Sequence, residues 1–211
     1  MSTVARPRPT RPEHLPTYPK GVSEGRSPAW WGMVLLIFTE ATFFAILLLS
    51  YFYVRFDSGV TWPPPPIDKP HLFLISIMTP ILLLSSVPAH LADMGIRRGN
   101  VRRLRLGIVM TMLQGATFIG LQCKEYLENV KDFRPWTNAY GSLFYTITGF
   151  HGLHVFVGLL LLLWVLIYSF RGRWTVDDHG PVRNVILYWH FVDAVWLFIF
   201  TSLYISPHWW P

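Results

Sequence analysis

Seven acidic or histidine side chains in or beside the long apolar segments of this sequence lie where a charge is costly, so a functional role is the first explanation to test. In chain order they are Glu40, His90, Glu125, His151, His154, His190 and Asp193. His151 and His154 are three residues apart, as are His190 and Asp193. Each pair therefore shares one face of a helix. Imidazoles and carboxylates on facing helices are the usual ligands of metal and haem sites in helical bundles, so that chemistry is weighed first.

A metal or haem site fits these residues poorly. Di-iron bundles need two Glu-x-x-His helices and two further glutamates, whereas this chain has no Glu-x-x-His and a single mid-membrane glutamate, Glu40. A bis-histidine haem would need two facing histidines, which His154 and His190 could supply. The favoured interpretation is a buried hydrogen-bonded network of Glu40, His151, His154, His190 and Asp193, with no catalytic residue and no metal in this chain.

A proton relay is the second functional interpretation of the same residues. Glu40 lies about ten residues into its segment, near the membrane midplane at about 1.5 Å of rise per residue. A relay must connect both surfaces, and no second carboxylate follows Glu40 toward the outer side. A structural role is therefore favoured for Glu40, whereas Asp193 is harder to exclude from a relay, because His190 one turn earlier can share its charge.

The elements that must position these residues follow from composition. Hydrophobic residues make up 52% of the 211 residues and charged residues only 14%, below the roughly 25% of soluble domains. Each apolar segment approaches or exceeds the roughly 20 residues that cross a bilayer as a helix. The sequence predicts an all-α polytopic membrane protein with five transmembrane helices in a bundle, at about 30–54, 72–92, 104–122, 140–170 and 185–206. Pro80 and Pro88 should kink the second helix.

The chain divides into a tail and a membrane domain. Residues 1–29, rich in Pro and Arg and without the apolar core of a signal peptide, predict a disordered cytoplasmic tail ahead of a transmembrane domain over 30–211. Thirteen Lys and Arg residues fall in the tail and in the loops on its side of the membrane, against five on the other side. The positive-inside rule therefore predicts a cytoplasmic N-terminus and an outside C-terminus. This distribution indicates that the net charge of +6 reflects basic loops at the membrane surface and not a nucleic-acid-binding surface. A single cysteine, Cys123, excludes an intramolecular disulfide.

Six short motifs, in this order, resemble subunit III of the haem-copper cytochrome c oxidases. The resemblance covers residues 30–206 and is closest to a short bacterial form with five helices. The motifs are 31–33 (Trp-Gly-Met), 39–44 (Thr-Glu-Ala-Thr-Phe-Phe), 62–64 (Trp-Pro-Pro), 121–126 (Leu-Gln-Cys-Lys-Glu-Tyr), 148–155 (Thr-Gly-Phe-His-Gly-Leu-His-Val) and 188–198 (Tyr-Trp-His-Phe-Val-Asp-Ala-Val-Trp-Leu-Phe).

The resemblance implies a non-catalytic accessory subunit of a proton-pumping terminal oxidase, integral to the bacterial cell (inner) membrane. Such a subunit packs on subunit I, stabilises it and supports proton uptake, with subunit II in the same complex and a larger respiratory supercomplex as a further partner. Haem and copper belong to the partner subunits and none to this chain, whereas bound phospholipid is expected, with Glu40, His90 and His151 as candidate contacts. The two helices that longer members carry in addition could be supplied by subunit I.

Three alternatives remain at this point. The nearest is subunit III of a quinol oxidase or of a nitric-oxide-reductase-associated complex. An independent transporter or channel would need a lined polar pathway, and the absence of an internal repeat argues against one. A haem-binding enzyme subunit is the third alternative, and a Soret band in the isolated chain would reveal it.

Overall fold

The computed structural model describes residues 27–59, 61–67, 70 and 72–209, and their regular elements are helices. Among the described residues, the helices form five spans that are long and apolar enough to cross a membrane, some of them made of more than one helix. This confirms the all-α polytopic fold. The spans are Pro28–Asp57, Leu72–Arg97, Val101–Asn129, Ala139–Phe170 and Gly180–Trp209. Most of the predicted tail, residues 1–26, lies outside the described residues.

Capping residues explain why two helices begin earlier than their apolar segments. The first helix, α1 (Pro28–Asp57), starts where the side chain of Ser27 accepts a hydrogen bond from the Trp30 amide, and Pro28 occupies the first helical position, where a missing N–H is harmless. Asn100 likewise caps the fourth helix of the chain through the Arg103 amide. Hydropathy marks the part of a helix that lies in hydrocarbon, whereas caps mark where the helix starts.

The second span is broken and not merely kinked. It consists of α2 (Leu72–Leu84) and α3 (Ser86–Arg97), separated at Ser85. Pro88 has no N–H to donate to the Leu84 carbonyl, and its ring crowds that carbonyl, so the helix restarts one turn earlier. Pro80, in contrast, is accommodated inside α2. The break places two serines, Ser85 and Ser86, at the start of a helix in the middle of the bundle.

The remaining helices are α4 (Val101–Asn129), α5 (Ala139–Phe170) and α6 (Gly180–Ile199), the last extended by a π-helical turn (Phe200–Ile205) and a short α7 (Ser206–Trp209). The fifth predicted segment, 185–206, contains no signal for the π turn. Beyond that turn the chain is anchored to the bundle, because Arg55 donates to the Ser206 hydroxyl at 2.6 Å.

The core of the bundle forms where α4, α5 and α6 meet, with α2 and α3 packed on α4 and α6. Trp189 of α6 fills the space over two glycines: a Cβ added at Gly115 would lie 2.5 Å from its ring, and one at Gly158 would lie 2.9 Å away. Gly158 therefore allows the close approach of α5 and α6, whereas a Cβ added at Gly152 would have nothing within 4 Å. Helix α1 packs mainly on α5 and α6 and is the least buried of the five spans.

Candidate functional site

A serine from the broken helix joins His190 and Asp193. The Ser86 hydroxyl lies 3.0 Å from Nδ1 of His190 and donates to Oδ2 of Asp193 at 2.5 Å. The sequence places His190 and Asp193 on one face of α6, and the structure keeps them there, but Ser86 of α3 stands between them. In a hydrolytic triad the histidine stands between serine and carboxylate. The order seen here therefore joins two helices and does not activate a nucleophile.

Ser85 and Trp189, the chain neighbours of Ser86 and His190, form a second hydrogen bond between the same two helices. The indole N–H of Trp189 donates to the Ser85 hydroxyl at 2.8 Å. Two turns further along α6, the indole N–H of Trp196 donates to the hydroxyl of Thr79 in α2 at 3.1 Å. These bonds satisfy indole groups that are fully buried. Sequence reasoning did not select the two serines, and the signal that could have found them is Pro88, which predicts a helix break where buried hydroxyls become available.

Glu40 and His154 form a second, separate polar pair between α1 and α5. Nε2 of His154 lies 3.0 Å from a carboxyl oxygen of Glu40, and Nδ1 lies 2.7 Å from the Phe150 carbonyl. A carbonyl only accepts, so Nδ1 must carry a proton, and the contact at Nε2 then needs one further proton, on the ring or on the carboxyl. Either arrangement leaves the pair with no net charge, which is the form least costly to hold among apolar helices.

His151 belongs to neither polar pair. Its side chain is fully buried, and its ring stacks on Trp196 with centroids 4.8 Å apart and meets the edge of Phe118 at 5.8 Å. Neither ring nitrogen has a hydrogen-bond partner among the described residues. The five residues predicted as one network are thus placed in two polar pairs and one aromatic contact, because the ring of His151 turns into the core whereas that of His154 turns toward α1.

A third polar cluster lies at the end of the bundle where α1 ends. Glu125 is buried and accepts from the amide of Gln122 at 2.9 Å and from the hydroxyl of Tyr204 at 3.1 Å. The π turn of the last span carries Tyr204, so this cluster ties α4 to the end of that span. Sequence reasoning noted Glu125 but did not place it in a network. The spacing of Gln122 and Glu125 on one helix face is the signal that was available.

The three candidate lipid contacts lie apart from one another. Glu40 and His154 line a groove of about 350 Å³ between α1 and α5. His90 is exposed and lines a different groove of about 200 Å³ at the end of the bundle where α1 begins. His151 is fully buried and lines neither groove, so it offers no surface to a lipid.

The structure places the side chains considered as metal or haem ligands in separate sites. Among these residues no group of three or more His, Cys, Asp or Glu side chains could hold a metal ion. The two histidines considered for a haem turn to different neighbours, since His154 bonds to α1 and His190 bonds to α3.

Comparisons with known proteins agree on one family. The family model for cytochrome c oxidase subunit III matches residues 18–211. A relative from Thermostichus vulcanus named cytochrome c oxidase subunit 3 is 39% identical over 175 residues, which cover 82% of this chain and 85% of the relative. Proteins of the same name from Petromyzon marinus (37% identical over 188 residues, 85% of this chain and 69% of the relative) and Oryctolagus cuniculus (33% over 202 residues, 93% and 72%) are also similar. These names do not favour the quinol-oxidase alternative.

Proposed function

The chain belongs to the cytochrome c oxidase subunit III family, and we propose that it is the helical scaffold that packs beside subunit I and stabilises it. It is an accessory subunit of a haem-copper oxidase, an oxidoreductase complex, and the subunit itself is non-catalytic. Electron transfer and oxygen reduction then take place on haem and copper held by the partner subunits, with subunit II in the same complex.

The observation that carries the scaffold role is that buried and half-buried polar side chains join different spans. Ser86 ties α3 to α6, Glu40 with His154 ties α1 to α5, and Tyr204 with Glu125 ties the last span to α4. Hydrogen bonds between membrane helices are each worth about 0.6 kcal/mol on average. Their individual contribution is modest, but together they fix the rotation of each helix, which apolar contacts alone leave loosely specified.

We further propose that the groove between α1 and α5 holds acyl chains of a bound phospholipid. Its walls are mostly apolar and include Leu36, Leu153, Val157 and Leu161. Glu40 is about one third exposed to this groove and its partner His154 less so. A hydrogen-bonded pair without net charge lets an acyl chain pass over it at little cost.

The proposal also covers the orientation of the chain in the membrane, its location and the further roles of the family. The excess of basic residues on the side where α1 begins supports a cytoplasmic N-terminus and an outside C-terminus. The bacterial cell membrane is the proposed location. Support for proton uptake, a contact with a larger supercomplex and a supply of two further helices by subunit I all follow from the family role.

The test is purification through a tag at the N-terminus in mild detergent, with identification of the co-eluting proteins and a reduced-minus-oxidised spectrum. We expect a haem- and copper-bearing subunit I and a subunit II to co-elute, and the haem absorbance to remain with them when this chain is removed. A chain that elutes alone and colourless would overturn the proposal. The haem type and the electron donor of the complex identify the oxidase further.

A further inference from the structure

A polar groove lies between α3 and α6 at the end of the bundle where α1 begins. It is the groove of about 200 Å³ that His90 lines, and His190 of α6 and the ion pair of Asp93 with Arg97 line it as well. A polar groove of this volume holds several water molecules. Arg97 and Arg183 are exposed at its rim, so water in the groove exchanges with the solvent at this end of the bundle.

Polar side chains lead from this rim toward the middle of the membrane. From the surface inward they are Arg97, Asp93, His90 and Ser86 on α3, and Arg183, His190 and Asp193 on α6. Their intervals of three, four or seven residues place them on one face of each helix. Asp193 lies ten residues beyond Arg183, which is a rise of about 15 Å. That distance is about half of the roughly 30 Å of hydrocarbon in a bilayer.

Two side chains connect the groove to the buried carboxyl of Asp193. His190 lines the groove, and Ser86 is the hydrogen-bond partner of its ring among the described residues, at 3.0 Å from Nδ1. The Ser86 hydroxyl donates in turn to Oδ2 of Asp193 at 2.5 Å. Nε2 of His190 is thereby left for water in the groove. An imidazole and a hydroxyl can each accept one proton and release another, so the path from the groove to the carboxyl has no gap.

This chain of hydrogen bonds is complete in both directions. With Asp193 ionised, Nδ1–H of His190 donates to Ser86, and Ser86 donates to Oδ2 of Asp193. A hydronium ion in the groove can give a proton to Nε2 and leave as water. Nδ1 then passes its proton to the Ser86 oxygen, and the former Ser86 proton moves to Oδ2. The carboxyl is now neutral, which is the form least costly to hold among apolar helices, and every hydrogen bond has reversed.

The relay ends at Asp193. The next polar group on this side of α6 is the indole of Trp196, which donates to Thr79 of α2 at 3.1 Å. An indole N–H is a donor only and does not take up a proton from a carboxyl. The rings of His151 and Phe118 pack against Trp196, and neither nitrogen of His151 has a partner among the described residues. In the part of the chain that the structure describes, no hydrogen-bonded path therefore continues to the other side.

We propose that Asp193 is a reversible proton-binding site, which exchanges its proton through Ser86 and His190 with the side of the membrane where α1 begins. It is a store for one proton and not a channel. The other titratable or charged groups at the groove are His90, Asp93, Arg97 and Arg183. The proposal concerns residues of this chain alone. Its assay rests on the proposed function, because it uses the intact oxidase.

The test is hydrogen–deuterium exchange at the Asp193 carboxyl, followed by infrared spectroscopy of the intact oxidase after a change from ordinary to heavy water. The C=O band of the neutral carboxyl is identified by its loss in Asp193→Asn. His190→Asn keeps an N–H donor near Ser86 but cannot accept a proton at one nitrogen and release it from another. Ser86→Ala removes the hydroxyl. His90→Asn and Ser50→Ala are the matched controls, because neither side chain belongs to the relay.

We expect exchange in His190→Asn and in Ser86→Ala to be about 100-fold slower than in the wild type, and exchange in both controls to match it. A bridge that only holds the helices together predicts the opposite sign, because its loss loosens the packing and speeds exchange through local opening. Unchanged or faster exchange in either variant would overturn the proposal, as would the lack of a neutral-carboxyl band that Asp193→Asn removes. Subunit and haem content are measured on the same samples. If the chain fails to co-purify with an oxidase, the proposed function fails instead, and the two results are distinguishable.

Discussion

Replacement of Ser86 by alanine tests whether the bridge between α3 and α6 holds the bundle together. The change removes one hydroxyl and nothing else. That hydroxyl contacts Nδ1 of His190 at 3.0 Å and Oδ2 of Asp193 at 2.5 Å. The other carboxyl oxygen of Asp193 already has no hydrogen-bond partner among the described residues. The variant would therefore leave a buried carboxyl, only 4% exposed, without any partner among these residues.

The expected cost follows from two estimates. Two hydrogen bonds between membrane helices at about 0.6 kcal/mol each give about 1.2 kcal/mol, and a buried polar group left without a partner costs about 1–3 kcal/mol. We therefore expect Ser86→Ala to lower the free energy of unfolding by about 1–3 kcal/mol. For a chain of this length, each kcal/mol corresponds to about 2–4 °C in the melting midpoint.

The assay is the thermal unfolding midpoint of this subunit in the detergent-solubilised oxidase, measured for Ser86→Ala and for Ser50→Ala. Ser50 is the matched control, because its hydroxyl donates only to the Ile46 carbonyl in its own helix. The control should melt with the wild type. A Ser86→Ala midpoint equal to that of the control would refute the reasoning.

A double-mutant cycle with Asp193→Ala separates the bridge from a general effect on α3. Asp193→Ala leaves the contact between Ser86 and His190 in place, so His190 keeps a hydrogen-bond partner. The spacing of His190 and Asp193 alone would instead suggest that the histidine loses its partner. Once the carboxyl is gone, loss of the hydroxyl should cost less. The double variant should thus be milder than the sum of the single variants by at least about 0.5 kcal/mol, and additive effects would exclude the bridge.

Two further predictions concern α1 and the core, and both use the same melting assay. Glu40→Ala should lower stability by no more than about 1 kcal/mol, because the carboxyl is partly exposed and its pair with His154 carries no net charge; loss of assembly would contradict this. Gly115→Ala should cost about 1–3 kcal/mol, because the added Cβ would lie 2.5 Å from the ring of Trp189. Gly120→Ala in the same helix, with nothing within 4 Å, should be neutral or stabilising by up to about 1 kcal/mol, and equal effects at the two glycines would contradict the packing described.

The ionisable residues of the candidate site could be identified from the sequence, but their partners could not. Glu40, His154, His190 and Asp193 stood out because charge is rare in an apolar segment. The partner of His154 was among the residues selected, whereas the partner of His190 was a serine, which is too common in membrane helices to stand out. His151 was placed on the same helix face as His154, yet a separation of three residues still turns two side chains about 60° apart. That angle is enough to send one ring into the core and the other to α1.

The sequence by itself determined the membrane spans and the family. An apolar run of about 20 residues has to form a helix in lipid, since its backbone can be satisfied in no simpler way. The tertiary structure alone decided which face of each helix meets which neighbour. A helix that is apolar all round has no face that the solvent selects, and α1 and α5 are of this kind. Their rotation is set by local packing and polar contacts, such as a tryptophan seated over two glycines and a serine exposed by a proline break, which a sequence pattern does not encode.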